Sequence, residues 1–406
     1  MSLIYDPAEP STRANPYPLF RRLAEEDPVH WSPVLKSWIL TRYRDVRRAH
    51  ARPEMSPGRL KPFYDSLPAE TRSILSEIML YLNHWLVFHD PPEHTRLRRL
   101  LNQAFAAEAL EALRPNIEGI VDLLLDDLPK EGRIEFIQDF AMPLPALVIL
   151  DMLAVERDML WPMKRWSDDM QVFIGSARGV PDKYERARRG AHEMGAYFRG
   201  KIAERRENLG EDIMSRLITV RDEKGEGLSE DELVACCMLF LFAGHETTTN
   251  LIGNATYLLC RHPDEQARLR ADPALIETAV EEILRFHGPT NASARVVGVE
   301  HELEGKTLKP GERVFALVNA ANRDPSRFDE PDRFNITRDP NKHLTFGQGI
   351  HFCLGAPLAR LEGQIAIPRL LERFPKIEVP AEDADLEWHE TIIMRGLMKL
   401  PLEIGC

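Results

Sequence analysis

The sequence predicts a mainly α protein with a small β region, built as one large domain over residues 1–406. Apolar residues recur at helical spacing through long stretches, and strand-like alternation is confined to a few short ones. No Gly/Ser-rich linker, repeat or low-complexity tract divides the chain.

Helical patterns run over 16–26, 92–106, 115–128, 182–207, 229–260, 273–287 and 354–374. Several open at proline or serine and close near glycine or proline. Proline presets φ at a first helical position, and a serine oxygen accepts from the orphan N–H groups of a first turn. Strand patterns lie at 38–41, within 296–318 around a Pro310-Gly311 turn, and within 391–404. They are far apart in the chain, so the β region is assembled from distant pieces and the order is not an alternating βαβ one. No glycine-rich loop opens a helix, so flavin and nicotinamide domains are not expected.

Composition narrows the class further. With 44% hydrophobic and 29% charged residues the chain reads as globular, and a net charge of −12 argues against general nucleic-acid binding. Met1 to Pro10 has neither a basic segment nor an apolar core, so no signal peptide is expected. The apolar run at 233–244 is too short to span a bilayer. The five cysteines follow no framework spacing. These features predict a soluble, cytoplasmic protein in a reducing compartment.

The segment Phe346-Gly347-Gln348-Gly349-Ile350-His351-Phe352-Cys353-Leu354-Gly355 sets one cysteine in a glycine-opened loop ahead of an apolar helix. Gly349 and Gly355 leave no side chain to strike a flat ring close by. Phe346 can cover the loop, and N–H groups around Cys353 can tune its sulfur as a ligand. A thiolate is the axial ligand that pushes electron density into haem iron. The bland alternative is a buried, inert cysteine.

The decapeptide resembles the haem-binding signature of the cytochrome P450 superfamily, Phe-x-x-Gly-x-x-x-Cys-x-Gly, without departure, and further ordered motifs extend the resemblance from about residue 84 to 363. The resemblance implies the fold of that superfamily, haem b with Cys353 as axial ligand to iron, and a haem domain with no fused reductase or ferredoxin.

The long helix opens on Ser229-Glu230-Asp231-Glu232, a capping box, and its first half is apolar on nearly every face. Ala243-Gly244-His245-Glu246-Thr247-Thr248-Thr249-Asn250 then interrupts it with residues that weaken or bend a helix. A buried acid beside a buried alcohol is costly unless it has a chemical role. The resemblance implies such a role, in which Glu246 and Thr247 would relay protons to the reacting dioxygen. It also implies that Glu282 and Arg285, joined by Arg333 from Pro331-Asp332-Arg333-Phe334, brace the cysteine loop. His94, Arg98, Arg295 and His351 would hold the haem propionates.

Trp85, Leu239, Phe242 and Ala243 are expected to line an apolar substrate pocket. Asn291 has two readings: its amide caps backbone in a kinked segment, or it hydrogen-bonds a substrate carbonyl or hydroxyl. The implied activity is that of a monooxygenase inserting one atom of O2 into a small to medium, largely apolar organic molecule. Electrons would come from a separate ferredoxin-type donor with its reductase, docked against Arg96, Arg99 and Arg360. A peroxygenase or isomerase on the same fold, or a haem sensor without catalysis, are the alternative readings.

Overall fold

Proline and serine set helix starts much as the sequence reading expects. The computed structural model describes residues 3–175, 180–380, 382 and 385–405. Its helices include Tyr17–Glu26, Glu93–Ala104, Arg114–Asp127, Lys183–Glu207, Glu230–Arg261, Ile276–Phe286 and Ala356–Arg373. Helix accounts for 57% and strand for 11%, which is the mainly α class predicted.

The chain divides into two compact units: Met1–Ser56 with Ile117–Leu144 and Thr247–Cys406, and Pro57–Asn116 with Pro145–Glu246. Each is built from separated stretches, so no linker marks a boundary and composition shows none.

In the first unit a five-stranded sheet runs in the order Val29–Ser32, Ser37–Leu40, Arg313–Leu317, Ala292–Val297, Met55–Ser56. Only the Ser37–Leu40 and Arg313–Leu317 pair is parallel. The sheet is covered on both faces. Leu40, Val297 and Val314 join Val46 and Ala49 of the Tyr43–Ala51 helix in one apolar cluster. Ile39, Phe315 and Leu317 join Tyr5, Phe20 and Leu23 in another. Successive strand residues thus serve opposite cores, as a two-residue period requires. Each such side chain contributes about 1.5–3 kcal/mol on burial. Gly311, at φ 86, turns the chain between the last strands and donates to the Val297 carbonyl at 2.9 Å. A second sheet orders Gly132–Glu135, Pro401–Gly405 and Lys376–Glu378.

The second unit contains the helices Ala69–Leu82, Leu160–Ile174 and Lys183–Glu207. Close helix contact depends on glycine there: a Cβ at Gly190 would lie 2.6 Å from the Trp166 carbonyl oxygen. The long helix Glu230–Arg261 begins in this unit. Ser229 N–H donates to Glu232 Oε2 at 2.8 Å and Glu232 N–H to Ser229 Oγ at 3.3 Å, closing the capping box. The chain stays helical through Gly244 and the threonines, where the sequence reading expects a disturbance. Gly244 instead lets a neighbour approach, since a Cβ would lie 2.6 Å from Ile149 Cδ1. Among the described residues no helix is long and apolar enough to cross a membrane.

Candidate active site

The Cys353 loop is shaped by its own backbone. Gly347 and Gly349 both adopt φ 73, the left-handed region that glycine enters without strain. Gly347 N–H donates to Leu344 O at 2.8 Å, Phe352 N–H to Gly349 O at 3.1 Å and Cys353 N–H to Phe346 O at 2.9 Å. A Cβ on Gly349 would meet the His50 carbonyl oxygen at 3.4 Å, so the loop lies against the end of the Tyr43–Ala51 helix. Arg47 Nε adds a bond to Gln348 Oε1 at 3.1 Å. The Phe346 ring sits 5.8 Å from His343 and 6.2 Å from Phe352, with the Arg360 guanidinium 4.5 Å over its face.

Of the described cysteines, Cys353 alone is exposed. Burial pushes the Cys236 and Cys260 thiols up to about 12 and the Cys237 thiol well above its usual value. A buried thiol held neutral is a poor ligand, whereas an accessible one on a fixed loop is suited to the role.

The buried acid–arginine cluster expected as a brace is present, with a correction. Arg285 grips Glu282 in a bidentate pair at 2.7 and 2.8 Å, and both side chains are fully buried. The second arginine is Arg338, not Arg333. Arg338 Nε lies 3.2 Å from Glu282 Oε2, and its guanidinium donates to the Asp329 carbonyl at 2.7 Å. The Arg333 guanidinium turns outward to Glu330, 61% exposed, and only its carbonyl serves the cluster, accepting from Arg285 at 3.2 Å. Pro331-Asp332-Arg333-Phe334 marks the right segment, but the chain turns once more before the buried guanidinium enters.

Arg295 and His351 both lie half-buried in the first unit. Beside them is a residue the sequence reading missed. His50 is buried, with Nε2 2.6 Å from Ser293 Oγ and Nδ1 without a hydrogen-bond partner. Burial, then the charges of Arg295 and His351, hold its pKa down to about 3. Arg295 and His351 beside an orphaned buried nitrogen of His50 suit an anionic group, and the donor set fits a haem propionate. In the second unit, His94 and Arg98 stand one turn apart on Glu93–Ala104. His94 is buried, and burial followed by the Arg98 charge lowers its pKa; Arg98 Nε donates to Asn102 at 3.0 Å.

Glu246 is partly accessible, yet burial dominates its titration. Its pKa rises to about 7, with Lys164 opposing and Asp168 reinforcing the shift. Lys164 pairs with Asp168 one turn along Leu160–Ile174 and lines a small cavity with His245, Leu150 and Leu241. The His245 ring bonds the Leu241 carbonyl at 2.7 Å. Thr247 follows Glu246 in the helix.

Trp85 is buried, stacked on Phe88 and 5.2 Å from the Phe242 ring. Leu239 is buried and Ala243 exposed. Asn291 is 6% exposed; its Nδ2 donates to the Ile392 carbonyl at 2.9 Å, while its Oδ1 has no hydrogen-bond partner. The nitrogen serves local structure, as one of the two readings expects, and the oxygen is left as a buried acceptor. The docking arginines are internally matched as well: Arg96 with Glu232, Arg99 with Glu223 at 3.4 Å, Arg360 with Glu281 at 2.6 Å.

A mainly helical protein with an accessible thiol on a glycine-opened loop and a fully buried Glu–Arg pair has the features of a haem-thiolate enzyme. Comparison with known proteins agrees. The family model for cytochrome P450 matches residues 68–403. The chain is 40% identical to cytochrome P450 107B1 of Saccharopolyspora erythraea, over 99% of this chain and 98% of that one. It is 35% identical to 6-deoxyerythronolide B hydroxylase of the same organism, over the full length of both. The crystal structure of myxobacterial cytochrome P450 CYP267B1 with myristic acid superposes with a TM-score of 0.88 at 37% identity, covering 98% of each chain. The chain belongs to the cytochrome P450 family and is a monooxygenase whose cofactor is haem held by a cysteine thiolate.

Proposed function

We propose that this chain, acting in the cytoplasm as a single haem domain over residues 1–406, inserts one oxygen atom into a small to medium, largely apolar organic substrate. Electrons come from a separate ferredoxin-type protein and its reductase. When bound, haem b supplies the iron centre at which O2 is activated. Cys353 would hold that iron from its loop, while His94, Arg98, Arg295 and His351 take the propionates. Phe346 and Gly349 shape the loop, and Glu282, Arg285 and Arg338 hold its support rigid.

The observation that carries the reading is Glu246, whose carboxyl is lifted to about 7 and which Thr247 follows directly in the helix. An acid with a pKa near neutrality both gives and regains a proton readily, the property a general acid needs. Thr247 would pass that proton on and orient water at the reacting oxygen. The apolar side chains of Trp85, Leu239 and Phe242 favour a hydrocarbon-rich substrate over a charged one. The relative solved with myristic acid points the same way.

The test is electron accounting with a ferredoxin–reductase system. Glu246→Gln and Thr247→Ala are expected to keep haem and consume electrons while product per electron falls by roughly 10²-fold or more, the scale of positioned acid–base groups. Parental coupling in both variants contradicts the assignment.

A further inference from the structure

We propose that His50 and Ser293 form an additional station for a haem propionate, the His50 imidazole hydrogen-bonding the carboxylate and Ser293 fixing the ring. The proposal rests on the haem reading above and extends it to residues outside the motifs that identify the family.

Three pieces of chain converge there. His50 lies in the last turn of the Tyr43–Ala51 helix, buried at 6% exposure. Ser293 and Arg295 stand two apart in the Ala292–Val297 strand, opposite Ala316 and Val314, so strand alternation puts both side chains on one face. The His50 backbone carbonyl abuts Gly349, which opens the short turn Gly349–His351. His50, Ser293, Arg295 and His351 therefore share one neighbourhood next to the cysteine loop.

The hydrogen bonding of His50 calls for an acceptor. Its Nε2 is 2.6 Å from Ser293 Oγ, and its Nδ1 has no partner. If the serine hydroxyl donates to Nε2, the ring proton sits on Nδ1. A buried N–H without an acceptor is costly, and a carboxylate removes that cost. The groups acting on His50 are Arg295, a permanent cation, and His351. An anion accepts from the Nδ1–H beside the Arg295 guanidinium; a neutral group answers only the imidazole. A role as a mere tether between helix and strand needs Nε2 and Ser293 and leaves Nδ1 unexplained.

The test uses holoprotein of the parent, His50→Leu, His50→Gln and Ser293→Ala. Resonance Raman spectra report propionate bending bands, and transfer to excess apomyoglobin reports haem release. His50→Leu and Ser293→Ala are expected to shift those bands and to release haem roughly tenfold faster, the equivalent of one charge-assisted hydrogen bond. His50→Gln, which keeps an N–H, recovers most of the parental behaviour. If His50→Leu does not fold, Ser293→Ala decides, because it keeps the imidazole and removes only a hydroxyl. Parental bands and parental release in the leucine and alanine variants overturn the proposal. A parent lacking the thiolate-type carbon-monoxide band would instead defeat the functional reading, so the two failures are distinguishable.

Discussion

Arg338 and Arg333 lie five residues apart in one segment, and the structure assigns them opposite weights. Arg338 is 12% exposed and reaches the fully buried Glu282, which also accepts from Arg285, from Asn341 at 3.0 Å and from the Asn335 N–H at 2.9 Å. Arg338→Ala deletes a charge-assisted bond to a buried carboxylate, worth about 1.5–3 kcal/mol. It also strips donors from the carbonyls of Asp329 and Glu330, at 2.7 and 3.2 Å. Glu282 keeps Arg285, so the carboxylate is not stranded, and the loss stays near the low end of the roughly 3–5 kcal/mol seen when a buried pair is broken. We expect about 3 kcal/mol. Arg333→Ala removes an exposed pair with Glu330, worth about 0–0.5 kcal/mol. Urea unfolding followed by the Soret band and by far-ultraviolet circular dichroism measures both. Equal losses, or a larger loss for Arg333→Ala, refute the assignment of the brace to Arg338.

Three further outcomes follow from the geometry. Glu246 has a folded pKa of about 7 against an ordinary 4.5, so its favourable contribution is complete below 4.5 and is lost as pH rises through 7; Glu246→Gln, which stays neutral, should gain on the parent by on the order of 3 kcal/mol across that window, read from unfolding curves at each pH. A Cβ on Gly396 would run into the Asn250 side chain, so Gly396→Ala should cost about 1–3 kcal/mol and the double variant with Asn250→Ala should recover part of it, the Asn250 Cβ still lying 2.8 Å away; equal stability of single and double variants contradicts the clash. Reduction by an acidic ferredoxin should slow steeply with salt and further in Arg99→Glu, whose side chain is 43% exposed; a salt-independent rate equal to the parent's removes Arg99 from the docking face.

Local signals were legible where a residue acts on its own neighbourhood. The Ser229–Glu232 box starts its helix as read and the Pro310-Gly311 turn joins two strands; of the two glycines read as freeing the cysteine loop, Gly349 takes φ 73 while Gly355 stays at φ −84. What the sequence did not show depends on tertiary packing. Arg333 matched a pattern, but the buried guanidinium comes from a residue further along a chain that keeps turning. The Asn291 amide met a carbonyl, Ile392, from the distant C-terminal segment. His50 had no sequence signal, because its partner Ser293 is 243 residues away and meets it only after the helix and the strand have packed. The helices Ala69–Leu82 and Leu160–Ile174 were not among the patterns read, although the second buries Met163, Trp166, Met170 and Phe173 at helical spacing.

The central claim is that Cys353 is the thiolate ligand of haem iron. It is tested most directly by the absorption spectrum of the reduced, carbon-monoxide-bound protein, for the parent and for Cys353→His. The account predicts the red-shifted Soret band of thiolate ligation in the parent and its loss in the variant, with haem still bound. A parental band surviving in Cys353→His, or a parent without one, would contradict it.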